Sequence, residues 1–227
     1  MLLSDGRHIQ LTDPRPTSSA ASGATPIVFI VDDDVSVRES LEALIGAAGW
    51  RTECFASARD FLARPRAGTP SCLILDVNLP DLNGLDLQKQ IAGERLDMPI
   101  IFITGFGDIP MAVEAMKAGA AEFLTKPCTE KALLDAIGHA IDQSAAKLRD
   151  QAELQALHGC YAALSPRERE VMALVVAGRL TKQIGGELGI SEPTVKAHRG
   201  RVMEKMKARS LADLVNLNAR LHPTPTP

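Results

Sequence analysis

A doubly wound α/β sheet of five parallel strands, followed by an all-α unit of four helices, is the fold class this sequence predicts. Between residues 27 and 143, five short apolar runs alternate with five helical segments. That alternation belongs to a parallel sheet with crossover helices on both faces. The runs are apolar almost throughout rather than at every second position, as in strands buried on both sides. From Ser165 onward the pattern is helical only, punctuated by capping residues.

The strands are predicted at 27–31, 52–55, 72–75, 100–104 and 122–125, and the helices at 37–48, 57–62, 84–91, 110–117 and 129–143. Residues 1–25, rich in Ser, Thr, Ala, Pro and Gly without periodicity, read as a disordered extension. This leaves 26–143 as the α/β domain. Beyond Gln143 no Pro or Gly occurs until Gly159, so 144–162 reads as a helical linker that prolongs the last sheet helix. Leu134, Ile137, Ile141 and Leu148 follow an a/d-like spacing that Ser144 interrupts with a polar residue, which weakens the case for a coiled coil.

Residues 163–222 form the helical domain. Ser165-Pro166-Arg167-Glu168 combines an N-cap, a proline at the first helical position and a capping-box glutamate, and the helix it opens ends near Gly178. A short helix over 181–188 stops at Gly189, a residue suited to the left-handed C-terminal position. Ser191 caps a helix that reaches about Met206, and Ser210 with Asp213 opens the last one. Short helix, glycine turn and basic helix together make a helix-turn-helix pattern. Residues 223–227, alternating Pro and Thr, read as a flexible tail.

A length of 227 residues suits two compact units and a linker, and 45% hydrophobic with 23% charged residues excludes disorder throughout. No apolar run nears the roughly 20 residues of a membrane span, and no cationic-then-apolar leader opens the chain. Membrane association is therefore not expected. Cys54, Cys72, Cys128 and Cys160 lie far apart, without zinc-ligand spacing, and read as separate buried thiols in a reducing compartment, the cytoplasm. The net charge of −3 hides a division: residues 163–222 hold eleven Lys/Arg against six Asp/Glu, a net of +5, which leaves −8 for the rest. A basic domain beside an acidic one points to a polyanionic partner.

Asp32, Asp33 and Asp34 follow the first strand and Asp76 follows the third. The carboxyl ends of strands in an open α/β sheet meet at one edge, where ligands bind. Carboxylates crowded there repel one another unless a cation is present, and hard oxygen ligands in this number suit Mg²⁺. The same edge receives Thr104 and Lys126 from the fourth and fifth strands. An Asp nucleophile, a metal to offset charge, and a hydroxyl with an ammonium to hold phosphoryl oxygens follow from these residue types. The plainer alternative is that loop aspartates merely sit at helix N-termini. Four strand ends each delivering a suitable group weigh against it.

The segment 26–143 resembles the receiver domain of a two-component response regulator. The motifs are IVDDD at 30–34, LILDVNLPDLNG at 73–84, FITGFGD at 102–108 and MAVEAMKAGAAEFLTKP at 111–127, the last similar to the FixJ-type subgroup. The resemblance implies that Asp76 accepts a phosphoryl group from a cognate sensor histidine kinase. It also implies that Asp33, Asp76 and the backbone carbonyl of Asn78 ligate Mg²⁺ while Asp32 holds a metal-bound water. Thr104 and Lys126 would bind phosphoryl oxygens, Phe123 would be the aromatic switch, and the Lys126-Pro127 bond would be cis. Cys128, after that proline, and Phe106, in the loop beyond Thr104, depart from the usual pattern. Cys128 reads first as a small packing residue and secondly as a redox sensor; Phe106 could gate access to Asp76.

In the helical domain, Lys196, Arg199, Arg201, Lys205, Lys207 and Arg209 face only Glu192 and Glu204 along one helix and its end, while Val195, Val202 and Met206 mark a buried stripe. Such a helix suits a DNA major groove, although one basic amphipathic helix alone is more often a solvated surface. Residues 165–215 resemble the LuxR/NarL-type four-helix DNA-binding domain. By position this implies DNA contacts from Thr194, Lys196, Ala197, His198, Arg199 and Arg201, with Lys182 near phosphate. Gly185, where alanine is usual, and Gly200 within the recognition helix are each expected to lower helix stability by about 0.5–1 kcal/mol.

The resulting expectation is a phosphorylation-switched transcription factor acting on promoter DNA and RNA polymerase. It would pair as a phosphorylation-dependent homodimer through the face of helix 110–118 and strand 122–125. An Asp-dependent phosphatase of the haloacid-dehalogenase type is disfavoured, because Asn78 stands where such an enzyme carries its second aspartate. A phosphorylation-independent regulator is disfavoured by the complete set Asp33, Asp76, Thr104 and Lys126.

Overall fold

The computed structural model describes residues 25–93, 97–105 and 107–223. The role expected at Phe106, the extension before Thr25 and the tail beyond Pro223 fall outside the described residues. The elements run β1 (Ile27–Val31), α1 (Val35–Ala47), β2 (Arg51–Phe55), α2 (Ala58–Ala63), β3 (Ser71–Leu75), α3 (Gly84–Ile91), β4 (Ile100–Thr104), α4 (Ile109–Lys117), β5 (Glu122–Thr125), α5 (Glu130–Ala162), α6 (Pro166–Val176), α7 (Thr181–Leu188), α8 (Glu192–Lys205) and α9 (Leu211–Leu221).

The sheet is wholly parallel, in the order β2-β1-β3-β4-β5. The strand order reverses between β1 and β3, and the crevice beyond their carboxyl ends is where open α/β sheets bind ligands. Every residue of β1, β3 and β4 is buried, as their apolar composition requires. Alternate side chains divide between two cores. Phe29, Phe61, Leu75 and Phe102 pack on one face, and Ile30, Ile74, Ile101, Leu133 and Ile137 on the other.

The last sheet helix does not stop at Gln143; α5 runs unbroken for 33 residues. Ser144, the polar break in the apolar spacing, is fully buried, and its hydroxyl accepts the Ser71 backbone N–H at 3.0 Å. The serine thus supplies an acceptor to the first residue of β3. Thirteen residues further on, Leu157 of the same helix is buried in the core of the helical unit, beside Val171, Val195, Val202 and Leu214. One helix therefore contributes to the cores of both units.

The helical unit closes as its punctuation predicts. Ser165 and Glu168 form a capping box, Ser191 and Ser210 cap α8 and α9, and Gly189 has φ +65°. Gly178, after α6, is also left-handed at φ +78°. The end of α8 falls at Met206 as expected, and the chain turns there through Lys207 at φ +54° without a glycine. A non-glycine residue in that region is uncommon. Lys205 is drawn into the fold, its ammonium 2.7 Å from the buried Glu168 carboxylate and 3.2 Å from the Ala163 carbonyl. It joins the start of α6 to the end of α8.

Ser144→Ala leaves the buried Ser71 N–H without its acceptor, an expected loss of about 1–3 kcal/mol in urea unfolding followed at Trp50, the single tryptophan. The hydrogen bond from Lys205, joined by the Ser165 backbone N–H, lowers the Glu168 pKa from 4.5 to about 2. Stability from this carboxylate is therefore complete above the unfolded value and is lost as pH falls from about 4.5 towards 2. Acid unfolding monitored at Tyr161, the single tyrosine, is expected to lose this component in Glu168→Gln, leaving a shallower slope over that interval.

Candidate functional site

The turn after β1 places its three aspartates differently. Asp34 is the N-cap of α1, accepting the Ser36 N–H at 2.8 Å, so for this residue the structural alternative holds. Asp32 is buried at 3% exposure and Asp33 is exposed. Carboxylate oxygens of Asp32, Asp33 and Asp76 lie within 4.8 Å of one another. Asp76 reaches this position because its N–H donates to the Val31 carbonyl at 2.9 Å, which continues the β1–β3 ladder by one residue.

Lys126, from the turn after β5, donates to Asp32 Oδ2 at 2.7 Å and to Asp76 Oδ2 at 3.1 Å. The other Asp76 oxygen, Oδ1, accepts the Asn78 N–H at 3.1 Å. Burial works to lower the Lys126 pKa, but its hydrogen bonds to Asp32 and Asp76 outweigh this and hold it above the ordinary lysine value. The ammonium bears on two carboxylates of three, so the cluster keeps a net negative charge. Crowded oxygen donors with one cation among them fit a hard divalent ion. Thr104 ends β4 at the same edge, fully buried. The Lys126-Pro127 bond is cis, as the resemblance implies.

Sequence reasoning missed several supports. Arg38, on α1, donates to the backbone carbonyl of Asp32 at 2.6 Å and pins the acidic turn; no spacing signal marks it. Gly84 and Gly107 stood in the quoted motifs without an assigned role. A Cβ on Gly84 would lie 2.5 Å from the Asp76 carbonyl oxygen, so only glycine lets α3 start against the acceptor loop. A Cβ on Gly107 would meet the Phe123 ring at 2.8 Å and Thr104 Cγ2 at 3.2 Å. Phe123 itself is half-buried, its ring 6.0 Å from that of Phe102. Gly107 thus lies directly on both residues expected to switch.

The cysteines are free, and Cys72 is buried with its thiol pushed up to about 12 by that burial. Cys54, Cys128 and Cys160 are only half-buried, which corrects the expectation of buried thiols throughout. Cys128 packs against the second sheet core, in keeping with its packing role.

In the helical unit, Val195, Val202 and Met206 are buried, as the stripe predicts. Thr194, Lys196, Ala197 and Arg201 are exposed on α8, and Lys182 is exposed on α7. The Thr194 hydroxyl also lies 2.8 Å from that of Ser191 at the helix start. His198 and Arg199 are half-buried at the margins of the stripe, and His198 Nδ1 has no hydrogen-bond partner. At α8, then, four of the six predicted contact residues lie on the solvent side.

The two parts match two family models: the response regulator receiver domain over residues 28–138, and the bacterial regulatory proteins of the luxR family over residues 162–218. The chain is 48% identical over 195 residues to Nodulation protein W of Bradyrhizobium diazoefficiens, covering 86% of each. It is 39% identical to the transcriptional regulatory protein FixJ of that organism, over 85% of this chain and 94% of FixJ.

The chain belongs to the two-component response regulators with a LuxR-type helix-turn-helix. Among solved structures, this regulator is similar to response regulator StyR with a TM-score of 0.78 and 46% identity, over 87% of this chain and all of that one. No helix among the described residues is long and apolar enough to cross a membrane.

The regulator's two unusual glycines differ in their surroundings. A Cβ at Gly185 would stand 2.8 Å from the Ile190 carbonyl oxygen, so the cost expected there is offset by a close approach between α7 and the turn before α8. Gly200 has open space around it. Gly200→Ala is expected to raise stability by about 0.5–1 kcal/mol, and Gly185→Ala to lower it, as measured by thermal unfolding of the full chain.

Proposed function

We propose that Asp76 accepts a phosphoryl group from the phosphohistidine of a sensor kinase, and that this modification controls DNA binding by α8. The N–P bond of the donor breaks as an Asp76 carboxylate oxygen forms the new P–O bond. The observation that carries the reading is Lys126 bridging Asp32 and Asp76 at the edge that also holds Thr104. Lys126 and Thr104 would bind the phosphoryl oxygens, with Lys126 exchanging a carboxylate partner for a phosphoryl one. Asp33, Asp76 and the Asn78 carbonyl would hold Mg²⁺, with Asp32 acting through a water. The ion would supply charge neutralisation at the transferring group.

Movement of Thr104 towards the phosphoryl group would open space beside Gly107 for the Phe123 ring. The loop then repositions α4, whose Ile109, Val113 and Met116 are 81%, 44% and 45% exposed. This apolar row, with β5 at the sheet edge, supports pairing of two receiver domains. Phosphate would shift an equilibrium between two pre-existing arrangements. Pairing would set two helix-turn-helix units on adjacent half-sites and strengthen binding through effective concentration.

Lys196, Ala197, Arg201 and Thr194 would meet the DNA from the exposed face of α8, His198 and Arg199 from its margins, and Lys182 from α7. Domain limits of 26–143, 144–162 and 163–222 fit this division of labour, with α5 crossing the first boundary. The regulator would work in the cytoplasm, with RNA polymerase as the downstream partner.

Light scattering in Mg²⁺ before and after acetyl phosphate tests the proposal. Wild type is expected to double its mass and Asp76→Asn to stay unchanged. A wild-type protein that remains monomeric despite confirmed phosphorylation overturns the pairing, and dimers in every sample assign assembly to α5 instead.

A further inference from the structure

We infer that Asp81, outside the acidic pocket, is a positioning residue that staples the phosphoacceptor loop to the first turn of α2 and so holds Asp76 and the Asn78 carbonyl in one arrangement. The inference rests on the reading of the acidic site above and extends it to a residue that touches neither metal nor phosphate.

Residues 76–83 connect β3 to α3. Backbone contacts fix the loop at its two ends: the Asp76 N–H donates to Val31, and the Gly84 N–H donates to the Val77 carbonyl at 2.8 Å. Leu79 and Leu82 pack against the sheet core. Between these two leucines, Asp81 reaches across to another element. Its Oδ1 accepts the Ala58 N–H at 3.2 Å and its Oδ2 accepts the Arg59 N–H at 3.0 Å. The Arg59 amide, foremost among several contacts, keeps the Asp81 carboxyl below its ordinary pKa, so the acceptor stays ionised.

These bonds are not what starts α2. That helix has its own N-cap, Ser57, whose hydroxyl accepts the Asp60 N–H at 3.1 Å. Ala58 and Phe61 are fully buried, which makes α2 a fixed anchor in the core that Leu79 and Leu82 also join. The two bonds to Asp81 therefore restrain the loop more than the helix.

The restraint bears on metal binding because Asn78 would ligate through its main chain. A side-chain ligand can be oriented by its rotamer, but a carbonyl is placed only by the path of the backbone. If residues 78–82 sample several paths, the apparent affinity falls by the fraction of molecules in the competent one. Coupling between two sites is reciprocal. Metal bound at the acidic edge must accordingly slow exchange of the Ala58 and Arg59 amides, which belong to a different element.

Calorimetric titration with Mg²⁺ and amide exchange on the full chain test this, with Asp81→Ala, Asp81→Asn and Ser57→Ala beside wild type. Asp81→Ala is expected to weaken Mg²⁺ binding about three- to tenfold, the range of one or two lost capping bonds. It is also expected to abolish the Mg²⁺-dependent slowing at residues 58 and 59. Asp81→Asn keeps one acceptor oxygen and is expected to fall between. Ser57→Ala weakens α2 itself and is expected to bind Mg²⁺ as wild type does. An unchanged affinity in Asp81→Ala overturns the inference even if the protein melts earlier, and an equal loss in Ser57→Ala overturns it too. A wild-type protein that takes up no Mg²⁺ overturns the acidic-site reading itself, an outcome visible before any variant is compared.

Discussion

The ammonium of Lys126, bonded at once to Asp32 and Asp76, is the contact on which the active edge of this protein depends. Each of those carboxylates follows a strand buried from end to end, and the lysine follows the edge strand β5. Apolar burial on both faces of β1 and β3 fixes the positions of the strand ends, and like charges are then forced together. A lone buried carboxylate would favour the neutral acid. Here the lysine offsets part of that cost, and the repulsion that remains makes the edge receptive to a cation. Arg38 and Gly84 serve the same arrangement from α1 and α3, one by holding the Asp32 carbonyl and the other by leaving room for that of Asp76.

The second constraint is the continuity of α5. A flexible tether would allow the two units to reorient independently, whereas a helix that is buried in both cores ties part of one to part of the other. Ser144 anchors it to the start of β3, the strand whose far end carries Asp76, and Leu157 anchors it in the helical core. The Ala163 carbonyl just beyond its end is bonded to Lys205 at the end of α8. Changes at the sheet and changes at the DNA-binding unit therefore act on a common element.

Strand and helix identities were legible in the sequence because periodicity and capping residues report local physics. The acidic edge was legible because strand-end residues converge in any parallel sheet. What escaped were contacts set by three-dimensional approach. Gly185 looked like a weak point of α7, yet its missing side chain admits the Ile190 carbonyl. Ser144 looked like a flaw in a heptad and proved to be a buried acceptor. Lys205 looked like one basic residue among six and is paired with the buried Glu168. Asp34 belonged to the acidic run by sequence but serves α1 as its cap. In each case the residue type was readable and its partner, far away in the chain or set by the turn geometry, was not.

Phosphoryl transfer is expected on Asp76 and not elsewhere in the acidic cluster. The most direct test is mass-spectrometric location of the acyl phosphate after incubation of the full chain with Mg²⁺ and acetyl phosphate. A single phosphoryl group is expected on the peptide that contains Asp76, absent when Mg²⁺ is chelated. A phosphoryl group on Asp32 or Asp33, or none on a protein shown to bind Mg²⁺, would contradict that expectation.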